Sequence, residues 1–218
     1  MTVALLTFLH LLVFVYWLGG DLGAFYVSNF MTDPRRSVPE RMMALKILNN
    51  IDMAPRTTLI LAYPTGLALA WAKHWVDVPG YMPVIAAVLF LSWLALAWFV
   101  HLRHGSGSEL ARRLDLAIRY LCVAAFAVAG IAGIVGLRDI PLFIALKLCV
   151  LAGCIALGLL VRKQIVPLFG AIREMNATGP TAATDAAIIR ANGNARISVL
   201  ALWVLVIAAA LLGIVKPT

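Results

Sequence analysis

Three ionisable side chains stand where lipid makes them costly. His10 and Asp21 lie near the two ends of FLHLLVFVYWLGGDLG, residues 8–23, and Lys147 lies inside IALKLCVLAG, residues 144–153. An imidazole ligates metals, a carboxylate takes up protons, and an ammonium group holds an anion or, once desolvated, gives up a proton. A charged Asp or Lys at the centre of a membrane helix costs roughly 3 kcal/mol. Such residues therefore mark a function by default.

On a helix, His10, Phe14, Trp17 and Asp21 follow an i, i+4, i+7, i+11 stripe. One face thus presents a ligand, two aromatic rings and an acid. Gly19 and Gly23 form a small-xxx-small pair, which predicts close approach of a neighbouring helix. His10 and Lys147 each fall about seven residues, ~10 Å, from the outer ends of their helices. Together with Phe143 they outline a polar pocket near the outer face. That pocket suits an anionic, planar cofactor. His10 then ligates a heme iron, and Lys147 meets a propionate or carries protons. Phe14, Trp17 and Phe143 pack on the macrocycle. Asp21 is the second proton-carrying candidate, within reach of water or Arg56. The competing reading is that His10 and Lys147 only tie helices together.

His74, beside Lys73 and Trp75, is the candidate second metal ligand, on the same side as His10 but shallower. His101 and His104 have i, i+3 spacing beside a basic connection, and a solvated helix end explains both. Cys122, Cys149 and Cys154 all sit in apolar runs without a Cys-x-x-Cys pair, and read as packing residues.

The elements that position these groups follow from composition. The 218 residues are 63% hydrophobic and only 13% charged, with a mean hydropathy of +0.95. That composition defines an all-α polytopic membrane bundle in one domain, 1–218. Six spans are expected, near 3–29, 57–72, 81–100, 116–137, 140–161 and 197–215. Tyr63-Pro64-Thr65-Gly66 predicts a kink in the second. The first span continues too far, and lacks the basic leader, for a cleaved signal.

The net charge of +8 is concentrated in the connections 31–56, 101–115 and 162–196. The positive-inside rule makes these cytoplasmic and both termini outside, in the periplasm if the membrane is a bacterial inner membrane. No aromatic-interleaved basic patch suggests nucleic acid. Ser37-Val-Pro-Glu40 reads as a capping box that opens an amphipathic surface helix over about 37–50. Residues 162–196 read as a cytoplasmic loop, turn-like at NATGPTAATD.

His10 followed by Tyr16-Trp17-Leu-Gly19-Gly20 resembles the start of the HemJ and CopD-like membrane proteins. Ala145-Leu-Lys147-Leu-Cys-Val is similar to the lysine-bearing helix of HemJ, and Gly213-Ile-Val-Lys216-Pro217 to its ending. The resemblance implies heme b, with His10 as ligand and Lys147 as the essential lysine. It also implies oxidation of protoporphyrinogen IX to protoporphyrin IX, or related membrane electron transfer. The chain departs from HemJ in its span count, six against about four, and in Asn192-Gly-Asn-Ala-Arg196 where HemJ enters its last helix with an Asn-Glu-Pro-like turn.

The partners implied are lipid, a porphyrin or quinone-like small molecule, and either a second copy or a membrane redox partner. CopD-like copper transport is the alternative. Met31, Met42, Met43 and Met53 supply soft ligands on the cytoplasmic side, but the outer side offers only Met1, Met82 and histidines. A membrane anchor or assembly subunit without chemistry is the third reading.

Overall fold

A computed structural model describes residues 1–103 and 108–217. Among these residues the chain is all-helical. Its elements are α1 (Thr2–Thr32), α2 (Val38–Ile51), α3 (Met53–Ala72), α4 (Met82–Leu102), α5 (Glu109–Ile134), α6 (Leu142–Gln164), α7 (Val166–Thr178) and α8 (Ala182–Val215). Five helical stretches are long and apolar enough to cross a membrane: α1, α4, α5, α6 together with α7, and α8. They mark an integral membrane protein.

The remaining long helix, α3, differs for a physical reason. It packs against α1, α2, α4 and α6, and no residue from 53 to 70 is exposed. A helix enclosed by protein need not be uniformly apolar, so Arg56, Thr57, Thr58, Thr65 and two prolines are tolerated in it. Helix continues through Pro64 without interruption. The side chains of Val13, Trp17, Leu59, Ile60, Trp93, Phe126, Ile155 and Leu202 meet in one core shared by all six long helices.

The bundle has two dissimilar ends. At one, α1 begins and α8 finishes, and we call this the terminal end. At the other, the basic end, a second apolar core forms around Met31, Ala44, Leu168, Ile172, Met175 and Ile188. Arg41 locks this core although it is 1% exposed. Its Nε donates to the Met31 carbonyl at 2.9 Å and its Nη1 to Asp185 at 2.6 Å, joining α1, α2 and α8.

The expected loop over 162–196 is largely helical. α6 runs to Gln164, α7 follows at once, and α8 starts at Ala182. Two causes account for the difference. Thr181 caps α8 by accepting from the Thr184 N–H at 3.1 Å. The alanine-rich run behind it has high helix propensity, and Ile188, Ala191 and Ala195 give it an apolar face to bury. Ile165 and residues 179–181 alone interrupt the helices here, and Gly179 takes a left-handed φ of 87°.

Helix approach also departs from expectation. Gly19 is exposed, with nothing near the position of an added Cβ. Gly20 is the close-packed glycine, since a Cβ there would lie 2.7 Å from Pro55 Cδ, and Gly23 follows against Ile51. The inward small residues are therefore spaced i, i+3 and not i, i+4. Gly130 and Gly133 do the same between α5 and α6, against Ala145 and Cys149.

The surface helix α2 opens as the sequence predicts. The Ser37 N–H and hydroxyl both donate to Glu40 Oε2, at 2.8 and 2.7 Å. The hydroxyl first, and then the backbone N–H, hold the Glu40 carboxyl below its ordinary value of 4.5. A depressed carboxylate contributes stability above its unfolded pKa and loses it as pH falls through the folded value. Amide protection in the first turn of α2 is therefore expected to decline below about pH 4.5. Ser37→Ala is expected to cut that protection roughly fivefold at neutral pH and to weaken its acid dependence, of which the backbone N–H bond to Glu40 keeps a part. Hydrogen exchange of residues 38–41 between pH 3 and 7 reads both effects.

Candidate functional site

Two polar sites occupy opposite ends of the bundle, and His10 belongs to the terminal one. The His10 ring is half-buried against α3. Its Nδ1 lies 2.9 Å from Thr65 Oγ1. That hydroxyl has one proton, and the Leu61 carbonyl accepts it at 2.7 Å. Thr65 must then accept from His10, which places the imidazole proton on Nδ1 and leaves the Nε2 lone pair bare. Gly66 makes room for the ring, since a Cβ there would come within 3.2 Å of His10 Cε1. The Pro-Thr-Gly stretch is thus a seat for the imidazole.

Lys147 on α6 is within electrostatic range of His10 and of Lys216. Its ammonium lies against Gly213 of α8, where an added Cβ would sit 2.6 Å from Nζ. Lys216 and Lys73 each approach the ring of Trp75, at 5.1 and 4.8 Å from its centroid. Phe143 meets the same ring edge-on at 5.2 Å. Among the described residues, none of these three lysines forms an ion pair. The site therefore combines a fixed imidazole, an aromatic pair and an excess of positive charge.

The other candidates fall elsewhere. Phe14 and Trp17 pack into the shared core, one and two turns further into the bundle. His74 is exposed, with a left-handed φ of 54°, just past the end of α3. It lies nine residues beyond Thr65, or about 13 Å along the helix axis, so the structure does not bring it to His10. Asp21 is about 16 Å from His10 along α1. It is buried, and the indole N–H groups of Trp17 and Trp203 are the donors that face its carboxyl. Arg56 does not reach it, because Arg56 closes onto Asp52 one turn earlier in α3. His101 stacks edge-on with Trp98 at 5.9 Å, while His104 lies outside the described residues.

The second polar site is one that spacing could have revealed. Asp115 and Arg119 stand i, i+4 in DLAIR, and Arg119 lies inside the expected fourth span. Asp115 accepts from Trp93 Nε1 at 2.9 Å, Arg119 Nε at 3.1 Å and Arg162 Nη1 at 3.0 Å. Asp115 is 1% exposed and Arg119 5%. One carboxylate thereby ties α4, α5 and α6 together. No trio of His, Cys, Asp and Glu able to hold a metal occurs among the described residues.

Comparison with protein families, with characterised proteins and with solved structures finds no match for this chain. The site must be read from its own geometry.

Thr65→Val removes the acceptor of the imidazole proton. Nitrogen-15 NMR of labelled His10 is expected to show the Nδ1–H tautomer in the parent and a mixture in the variant. Asp115→Asn leaves the buried guanidinium of Arg119 and the partly exposed one of Arg162 around a neutral amide. It is expected to destabilise the bundle by about 3 kcal/mol or more, measured by denaturant unfolding in detergent.

Proposed function

We propose that the terminal-end site binds an anionic planar ring, and that the protein is a membrane redox protein carrying heme b as the HemJ resemblance suggests. The observation that supports this reading is the His10–Thr65 bond. It fixes the ring and its tautomer, and it presents Nε2 as an unshared ligand atom, the arrangement usual around metal-bound histidine. The donor set fits a single axial imidazole, with Lys147 and Lys216 as partners for carboxylates. Trp75 and Phe143 offer ring contact in place of Phe14 and Trp17. No second axial ligand is supported, since His74 is remote.

A heme at this place would supply one-electron chemistry near the outer face. The chain's own part is to orient and to neutralise. Thr65 holds the imidazole, Gly66 accommodates it, and the lysines balance anionic charge in a poor solvent for ions. Lys147, in its neutral amine form, is the proton acceptor we assign if the reaction is porphyrinogen oxidation, and Lys216 then carries the charge balance. Asp21 does not belong to this site, so any proton it takes travels by another route.

The same reading uses six crossings. α3 is 20 residues long, or ~30 Å, enough to span a bilayer core. With α3 counted, an even number of crossings agrees with the two termini sharing one end. The positive-inside rule then directs the basic end to the cytoplasm and the terminal end outward, to the periplasm in a bacterial inner membrane. Copper transport finds no support in the packing. Met31 is buried among apolar side chains of the second core, and Met43 is exposed.

The test is an absorption spectrum of detergent-purified protein, produced with ample heme, oxidised and then reduced with dithionite. A Soret band with reduced α and β bands is expected, absent in His10→Ala. Thr65→Val is expected to weaken heme retention ~10- to 100-fold. A featureless spectrum from folded protein would overturn the heme reading and direct attention to His10 as a helix-tying group.

A further inference from the structure

The cluster around Asp115 is unbalanced in charge, and the imbalance points to a ligand. Arg119 and Arg162 share this one carboxylate. Arg56 is within electrostatic range of Arg162 and is already paired with Asp52. Three guanidinium groups therefore face two carboxylates. Asp21, within electrostatic range of Asp52, forms no ion pair among the described residues. Arg119 is almost wholly buried, yet its Nη2 has no hydrogen-bond partner. Its guanidinium leans on the Trp93 ring at 5.3 Å, which offsets part of the charge but satisfies no N–H.

A buried, unmatched cation in a membrane bundle is strongly disfavoured. Deprotonation is closed to arginine, whose charge persists at any ordinary pH. The remaining remedy is an anion. Access exists on one side, because the side chains of Arg162 and Arg56 are 32% and 35% exposed while those of Asp115 and Arg119 are not. Guanidinium groups match phosphate oxygens through paired N–H donors. Basic pockets between membrane helices on the cytoplasmic side commonly receive anionic headgroups.

We propose that the partly exposed Arg162 and Arg56, with the enclosed charge of Arg119 behind them, form a phosphate-binding site at the basic end of the bundle, on α3 and α6. The ligand chemistry is a phosphate mono- or diester. It is supplied either by an anionic lipid headgroup or by a soluble phosphate.

The test uses the full chain in nanodiscs of pure phosphatidylcholine, into which phosphatidylglycerol is titrated, with thermal unfolding as the readout. A parallel arm adds millimolar inorganic phosphate to phosphatidylcholine discs. Arg162→Gln and Arg56→Gln are the variants, chosen because both side chains are partly exposed and their loss leaves the buried Asp115–Arg119 pair intact. Arg35→Gln, at an 89% exposed side chain, controls for general leaflet charge.

A rise in Tm with phosphatidylglycerol, reduced by half or more in Arg162→Gln and kept in Arg35→Gln, is expected if the source is lipid. An equal rise with inorganic phosphate, lost in the same variant, assigns the site to a soluble phosphate. No rise in either arm, or a rise that Arg35→Gln diminishes as much as Arg162→Gln, overturns the proposal.

Discussion

In hydrocarbon a polar group must find its partner within the chain, and Asp115 is where this constraint acts most strongly. Lipid tails are as apolar as leucine, so helices do not associate to escape them. What fixes their relative positions is close packing and the pairing of groups that lipid cannot solvate. Asp115 takes donors from three helices at once, at 2.9, 3.0 and 3.1 Å. With that anchor in place, Gly130 and Gly133 let α5 lie directly on α6. The orientation of α6 in turn aims Lys147 at Gly213 of α8.

The same constraint divides the bundle into a tied end and an open end. At the basic end, Arg41–Asp185, Arg196–Asn29 and the Asp115 cluster stitch α1, α2, α4, α5, α6 and α8 together. The polar and aromatic contacts between α1 and α8, Phe25–Trp203 and Ser28–Arg196 among them, lie in this half. At the terminal end residues 1–5, 7–9 and 11 of α1 are exposed. Among the described residues the lysines there form no ion pair, although pairing would have been the simple way to stabilise them. Rigidity is concentrated at one end, and unmatched charge beside a fixed ligand atom remains at the other.

Much of this was legible in the sequence, and the failures have physical causes. Hydropathy located the long helices because lipid contact demands apolar side chains, and the Ser37–Glu40 box was visible because capping is local. α3 was legible only as a short, interrupted apolar run, since protein and not lipid surrounds it. The Thr65 partner of His10 was not readable, because it stands 55 residues away and only tertiary packing selects it. Residues 162–196 misled because the turn-forming Asn, Thr, Gly and Pro of one short segment outweighed the helix propensity of the alanines after it. Asp115 and Arg119 were in plain view at i, i+4. The rest of the cluster was not legible, because Trp93 and Arg162 stand 22 and 47 residues from Asp115 and only tertiary packing brings them to it.

Packing joins the two polar sites. An aromatic column runs between them. Tyr63, two residues before Thr65, packs on Phe126 at 4.8 Å and on Phe90 at 5.1 Å, and Phe90 packs on Trp93 at 5.7 Å. Trp93 is the indole that donates to Asp115. Close-packed rings transmit displacement because they have no voids into which to relax. The column carries no ionic group, so it offers no path for charge. The seat of His10 on α3 is thus held at a fixed height above the Asp115 cluster by rings in contact. The imidazole at the terminal end and the ion pairs at the basic end are parts of one packed framework.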